Sequence, residues 1–152
     1  MQGYDTRDDF DLVVYPAQAF GNSTTVFNYI GPPGKSGLVV DIMADITASM
    51  VGTTTVPEID VGTSSGDTSY ARYRLGTSAT SGYAAASTPK RARQEAALIP
   101  QVQPPAASDY AGHVALETAQ IPANTAFVIT LKAGTGGSPA GTATVYIWIK
   151  WF

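Results

Sequence analysis

TATVYIWIKWF, residues 142–152, decides the fold class. Side chains along a β-strand alternate between two faces. Here the alternation puts Val145, Ile147, Ile149 and Trp151 on one face and Tyr146, Trp148, Lys150 and Phe152 on the other. A helical period would scatter both sets around a cylinder. The same two-residue period runs through 125–132, where Phe127, Ile129 and Leu131 alternate with Val128, Thr130 and Lys132. It also runs through 38–47, where Leu38, Val40, Ile42, Ala44 and Ile46 alternate with Val39, Asp41, Met43, Asp45 and Thr47, which are expected to face outward. Shorter strand candidates are 11–15, 24–30, 53–61, 69–75, 98–103 and 111–118. Turn-forming stretches separate them: GPPGKSG at 31–37, VGTSSGD at 61–67, LGTSATSG at 75–82, PPAASD at 104–109 and AGTGGSPAG at 133–141. Eight or nine short strands punctuated by Gly and Pro predict an all-β antiparallel sandwich or barrel.

Composition agrees. The chain has 152 residues, enough for one domain with a real core. Only 14% of residues are charged, with 15 glycines and 10 prolines, which excludes coiled coils, helical bundles and charged disordered tails. There is no cysteine and a single histidine, His113, which excludes disulfide scaffolds, zinc ribbons and multi-histidine metal sites. No apolar run approaches the roughly 20 residues of a membrane helix, and the N-terminus carries no signal-peptide pattern. The expectation is a soluble protein made in a cytoplasm, with no membrane partner.

The net charge is −3, and Asp5, Asp8, Asp9 and Asp11 against Arg7 supply all of it. Residues 1–9 are expected to form a polar arm outside a 10–152 sandwich domain. A second charged stretch is basic: Arg72, Arg74, Lys90, Arg91 and Arg93 face only Glu95. One modest basic stretch in an acidic chain argues against nucleic acid as a partner. Within it, STPKRARQEAAL at 87–98 predicts a short helix capped by Thr88, with Pro89 at its first position, or a basic loop inserted between strands.

Several letters resemble chemistry without supporting it. GPPGKS at 31–36 ends like a phosphate-binding loop, but Tyr29 stands where that motif needs glycine, and Pro32 and Pro33 lack the N–H groups that cradle phosphate. A tight turn is the better reading. Ser108, Asp109 and His113 lack the strand–elbow–helix context of a hydrolase. Glu58, Asp60 and Asp67 could hold calcium but follow no twelve-residue loop pattern. Asp41 and Asp45, on one strand face, are read as solvated edge charges rather than a glycosidase pair. No catalytic residue, metal or cofactor is assigned, and the chain is not read as an enzyme.

Two features exceed an ordinary sandwich. The last strand carries large apolar groups on both faces, so Tyr146, Trp148 and Phe152 mark a subunit interface, unless a loop of the same chain covers them. The second is the basic cluster Lys90, Arg91 and Arg93, read as a contact with a partner subunit.

PEIDVGTSSGDTSYARYRLG at 57–76 followed by IPANTAFVITLKAGTGGSPAGTATVYIWIKWF at 121–152 resembles the jelly-roll capsid decoration, or cement, proteins of tailed bacteriophages. The shared order is a strand ending in Val-Gly-Thr, a Gly/Asp turn, a basic Tyr-rich strand, an inserted loop and a closing hairpin. The resemblance implies a homotrimeric jelly roll on the exterior of the icosahedral head, clamping neighbouring major capsid subunits without catalysis. The alternative is a receptor- or glycan-binding head domain of a tail fibre or spike, with Tyr146 and Trp148 as the sugar platform.

Overall fold

The computed structural model describes residues 9–21, 23–77, 82–85, 89–98 and 113–152. The candidate strand at 98–103, the Thr88 cap, the Ser108–Asp109 pair and the arm up to residue 8 lie outside them, apart from Leu98. Nine strands are described: β1 (Asp9–Ala19), β2 (Thr25–Ile30), β3 (Gly37–Val51), β4 (Glu58–Gly62), β5 (Ala71–Arg74), β6 (Lys90–Arg91), β7 (Val114–Ala115), β8 (Ala126–Lys132) and β9 (Ala140–Trp151). One helix, α1 (Ala92–Leu98), follows β6. The helix thus begins after the basic pair, not at Thr88. Lys90 and Arg91 extend along Ala44 and Met43 of β3, ahead of the helix that carries Arg93.

The strands form two antiparallel sheets, ordered β1-β9-β3-β6 and β2-β8-β4-β5-β7. The pairing is nested: β1 with β9, β2 with β8, β3 with β6 and β4 with β5. That is one long antiparallel hairpin wound round on itself, the connectivity of a jelly roll. Two-residue β7 is an addition at the edge beside β5. Sheet A here denotes the β1 sheet and sheet B the β2 sheet.

The core follows the alternation in β9. Ala143, Val145, Ile147, Ile149 and Trp151 are buried between the sheets, against Phe127, Ile129 and Leu131 of β8, Ile59 and Val61 of β4, and Tyr73 of β5. Fully burying each large side chain contributes about 1.5–3 kcal/mol. At the open end of the sandwich Trp151 donates its indole N–H to Asp11 of β1 at 2.9 Å, and the Tyr29 hydroxyl of β2 donates to the same carboxylate at 3.1 Å. Tyr15 of β1 stacks on Phe27 of β2, with ring centroids 3.9 Å apart. The Tyr29–Asp11 bond and the Tyr15–Phe27 stack bind one sheet to the other. Gly31 and Gly37 flank the Trp151 ring, and a Cβ on either would lie inside its van der Waals surface.

In β3 the expected alternation breaks. The register with β9 shifts between Val39 and Asp41, a β-bulge that swaps faces. Val39 is buried before it, and Ile42, Ala44 and Ile46 after it, whereas Leu38 and Val40 are partly exposed. Asp41, expected to be solvated, is 4% exposed. The bulge turns its carboxylate into a pocket that supplies four hydrogen bonds, described below.

Candidate interaction surface

The outer face of sheet A collects apolar side chains from three adjacent strands. Cross-strand registers place Phe10 beside Lys150, Leu12 beside Trp148 and Val14 beside Tyr146. On the other side of β9, Leu38 lies beside Lys150 and Met43 beside Tyr146, with the bulge between them at the level of Trp148. The result is an apolar field interrupted by Lys150 and partly covered by Arg91 of β6. Its outermost strand is the most exposed: Phe10 is 53% accessible, Leu12 49% and Val14 42%. The apolar surface is contiguous across three strands rather than scattered over single residues. Phe152, also half exposed, sits one step beyond Lys150 on the same parity.

Tyr146 and Trp148 are half-buried and nearly parallel, with centroids 6.2 Å apart. The Arg91 guanidinium lies over the Trp148 ring at 5.2 Å, and Lys150 lies over Phe10 at 5.8 Å. Part of the aromatic surface is therefore covered by a side chain of the same fold, contributed by β6.

β1 was the least legible contributor. The sequence offers it only as a strand candidate at 11–15, with no face assigned. In the structure Asp11, Val13 and Tyr15 turn inward, with Asp11 held by Trp151 and Tyr29, while Phe10, Leu12 and Val14 face out. The missed signal was Phe-x-Leu-x-Val itself, opposite a face that needed one acceptor. Asp9 pairs with Lys35 of the GPPGKS turn, whose Gly34 amide donates to Asn124 at 2.8 Å. That stretch is a structural turn, as its sequence indicated.

The basic cluster is largely engaged within the chain. Arg91 donates to Asp41 through Nε at 3.0 Å and Nη2 at 2.6 Å. The Arg93 amide and the Ile42 amide donate to the other Asp41 oxygen at 3.0 and 2.9 Å. The Arg93 side chain donates to the Val40 carbonyl at 2.9 and 2.7 Å and pairs with Glu117 at 2.5 Å. Lys90 lies over the Tyr83 ring at 5.2 Å. Arg91 and Arg93 thus fasten β6 and α1 to the bulge in β3, and what they offer a partner is the exposed remainder of their guanidinium groups.

Beneath them Tyr83, Glu95 and His113 form a closed triangle: Tyr83 Oη donates to Glu95 at 2.5 Å, and His113 Nε2 lies 2.9 Å from each. His113 is buried, and these bonds tie the residue before β7 to α1 and to Tyr83. Of the calcium candidates, Asp67 spends its carboxylate on Thr63 and Ser69, and these hydrogen bonds hold it well below the usual carboxylate range. Among the described residues no three His, Cys, Asp or Glu side chains are grouped to hold a metal.

On the outer face of sheet B, β4, β5 and β8 carry a charge network, while Val26 and Ile30 of edge strand β2 are exposed beside it. Glu58 of β4 is buried and receives Lys132 Nζ at 2.5 Å and Arg74 Nε at 3.3 Å. Arg72 lies 3.8 Å from Glu58 and 3.5 Å from Asp60. Lys132 and the nearby arginines draw Glu58 below its ordinary pKa despite burial.

Comparisons with protein-family models, curated proteins and solved structures give no match to this chain.

Proposed function

We propose that this chain is a structural virion protein, a decoration protein on the exterior of a tailed-phage head that assembles as a homotrimer and stabilises contacts between major capsid subunits. The observation that carries the assembly step is the exposed apolar field formed by Phe10, Leu12, Val14, Tyr146 and Trp148. Leaving Phe10 and Leu12 wet forgoes about 1.5–3 kcal/mol of burial for each side chain that a partner could cover fully. A jelly roll that spends its polar groups on internal ion pairs is suited to contact rather than turnover. Closed threefold symmetry fits the local axes of an icosahedral shell, and this step rests on the resemblance of 57–76 and 121–152 to capsid decoration proteins.

The second reading, a glycan-binding fibre tip, draws on the parallel Tyr146–Trp148 pair. Arg91 already occupies space over the indole that a sugar ring would need, which favours the first reading. Analytical ultracentrifugation and antibody labelling of virions test the proposal together. Trimers and label over the head lattice support it. A monomer at micromolar concentration, or label confined to the tail, overturns it.

A further inference from the structure

Asp60 presents a problem that the fold does not resolve by itself. It lies on the outer face of sheet B, yet is 0% exposed. As a carboxylate it has no hydrogen-bond donor: neither oxygen is bonded among the described residues. Arg72, at 3.5 Å, is close enough to attract it but does not bond to it, and the Arg72 Nε–H is itself buried without an acceptor. An ionised carboxylate in such a place costs free energy that a protonated one avoids.

The β4–β5 loop is seated on the row of the sheet that holds Asp60. Asp60 stands opposite Thr130 of β8 and Arg72 of β5. The loop bends back over this row, and its tip amide, Gly66, donates to the Thr130 hydroxyl at 3.0 Å. Gly66 has φ +76°, the left-handed conformation that lets the tip reverse direction. The loop is internally rigid, since Asp67 gathers Thr63 and Ser69 and the Asp67 amide donates to Ser64. At its base Gly62 packs against Asp67 closely enough to leave no room for a Cβ.

We propose that the 62–69 loop is a proton-controlled latch, closed over a protonated Asp60 and loosened as Asp60 ionises. The charged groups facing Asp60 are Glu58 on its own strand, Arg72 on β5 and Lys132 on β8, with uncharged Thr130 beneath the loop tip. Glu58 is the partner that a protonated Asp60 can donate to, and it repels an ionised one. Burial, with Glu58 second, raises the Asp60 carboxyl from 3.8 to about 7, while Arg72 and Lys132 oppose the rise. With the latch open, Asp60 reaches water and returns toward 3.8. The closed form therefore holds the proton more tightly. The latch is firmest below about pH 4, weakens by up to about tenfold in opening equilibrium per pH unit towards neutrality, and levels off above.

Amide hydrogen exchange tests this, read at Gly66 and corrected for the intrinsic pH dependence of exchange. Protection at Gly66 is expected to fall at least tenfold between pH 4.5 and pH 7.5 and to stay below that of Ile129 and Ile147 in the core at both pH values. Asp60→Asn should make Gly66 protection independent of pH. Thr130→Val should lower it at every pH by removing the bond that seats the tip. Carbon-detected titration of the Asp60 carboxyl supplies a readout in the unmutated protein. Titration of Asp60 in the ordinary range near pH 4, or Gly66 protection equal at the two pH values, overturns the latch. So does a pH dependence that survives in Asp60→Asn.

Discussion

Removing Asp41 should cost more than removing any exposed charge of the basic cluster. One Asp41 oxygen accepts two bonds from Arg91, and the other accepts the amides of Ile42 and Arg93. Asp41→Ala leaves both amides without their acceptor, at about 1–3 kcal/mol each if they stay dry. It also frees a guanidinium that is 43% exposed and can turn to water, so that loss is smaller. The expected total is about 3–5 kcal/mol, the range found when one partner of a buried pair is deleted. Asp41→Asn keeps an acceptor for the amides and should cost roughly half as much. Arg91→Met retains much of the packing on Trp148 and should cost about 2–3 kcal/mol, because it strips the charge partner from a buried carboxylate. Lys90→Ser, which breaks only a contact with the Tyr83 ring, should stay within about 1 kcal/mol. Equilibrium urea unfolding with a shared m-value reads all four. A loss below about 1 kcal/mol for Asp41→Ala would refute the view that this carboxylate holds β6 and α1 to β3. The same series bears on partner binding: if Arg91 acts only toward a capsid subunit, Arg91→Met leaves the urea midpoint where it was.

Other outcomes follow from the same geometry. Leu12→Asp and Trp148→Asp should each yield monomers by ultracentrifugation, and Leu12→Asp should do so with the melting temperature of the isolated protomer unchanged, since Leu12 makes little of the core; trimers persisting in both would move the interface elsewhere. Gly37→Ala forces a methyl into the Trp151 ring and should destabilise by about 1–3 kcal/mol, with the near-ultraviolet dichroism of the indole altered; an unchanged midpoint would show that the ring has room. Raised in the folded state, Asp60 makes stability decline as pH climbs from about 4 to 7, by up to about 1.4 kcal/mol per unit, and Asp60→Asn should flatten that decline. Glu58 acts in the opposite sense: lowered in the folded state, it adds stability that is lost as pH falls below about 4.5, so urea midpoints across pH 3–8 should peak between the two.

The sandwich was legible wherever one strand face is apolar and the other is not. β9 and β8 show this, and the alternation in TATVYIWIKWF matches the burial of β9 residue by residue. Asp41, expected as a solvated edge charge, is buried, and Asp11, Glu58 and Asp60, which also interrupt strand patterns, are each at least partly buried with a distinct physical reason. Asp11 ties two sheets at an open end where Trp151 and Tyr29 bring donors. Asp41 follows a bulge, and a bulge is set by the register between β3 and β9, which no local pattern encodes. Glu58 and Asp60 lie on a strand flanked by cations from β5 and β8 at long sequence separation. The bases Arg72, Arg74 and Arg91, which read as a free basic stretch, are the counterparts of those acids.

The apolar field on sheet A was hidden for the same reason. Once Asp11 faces inward, Phe10, Leu12 and Val14 must face out, because a strand cannot turn both sets inside. The strand that follows the predicted 1–9 arm therefore delivers Phe10, Leu12 and Val14 to the outer surface. Half of the interface proposed for Tyr146 and Trp148 is built by a strand whose inward face needed an acid. The charge that closes the open end of the sandwich and the apolar stripe offered to a neighbour are two faces of one alternation. A substitution such as Asp11→Leu would thus remove the inter-sheet clamp without altering the stripe, whereas Leu12→Asp alters the stripe alone. Assembly and protomer stability are separable along β1 at adjacent positions.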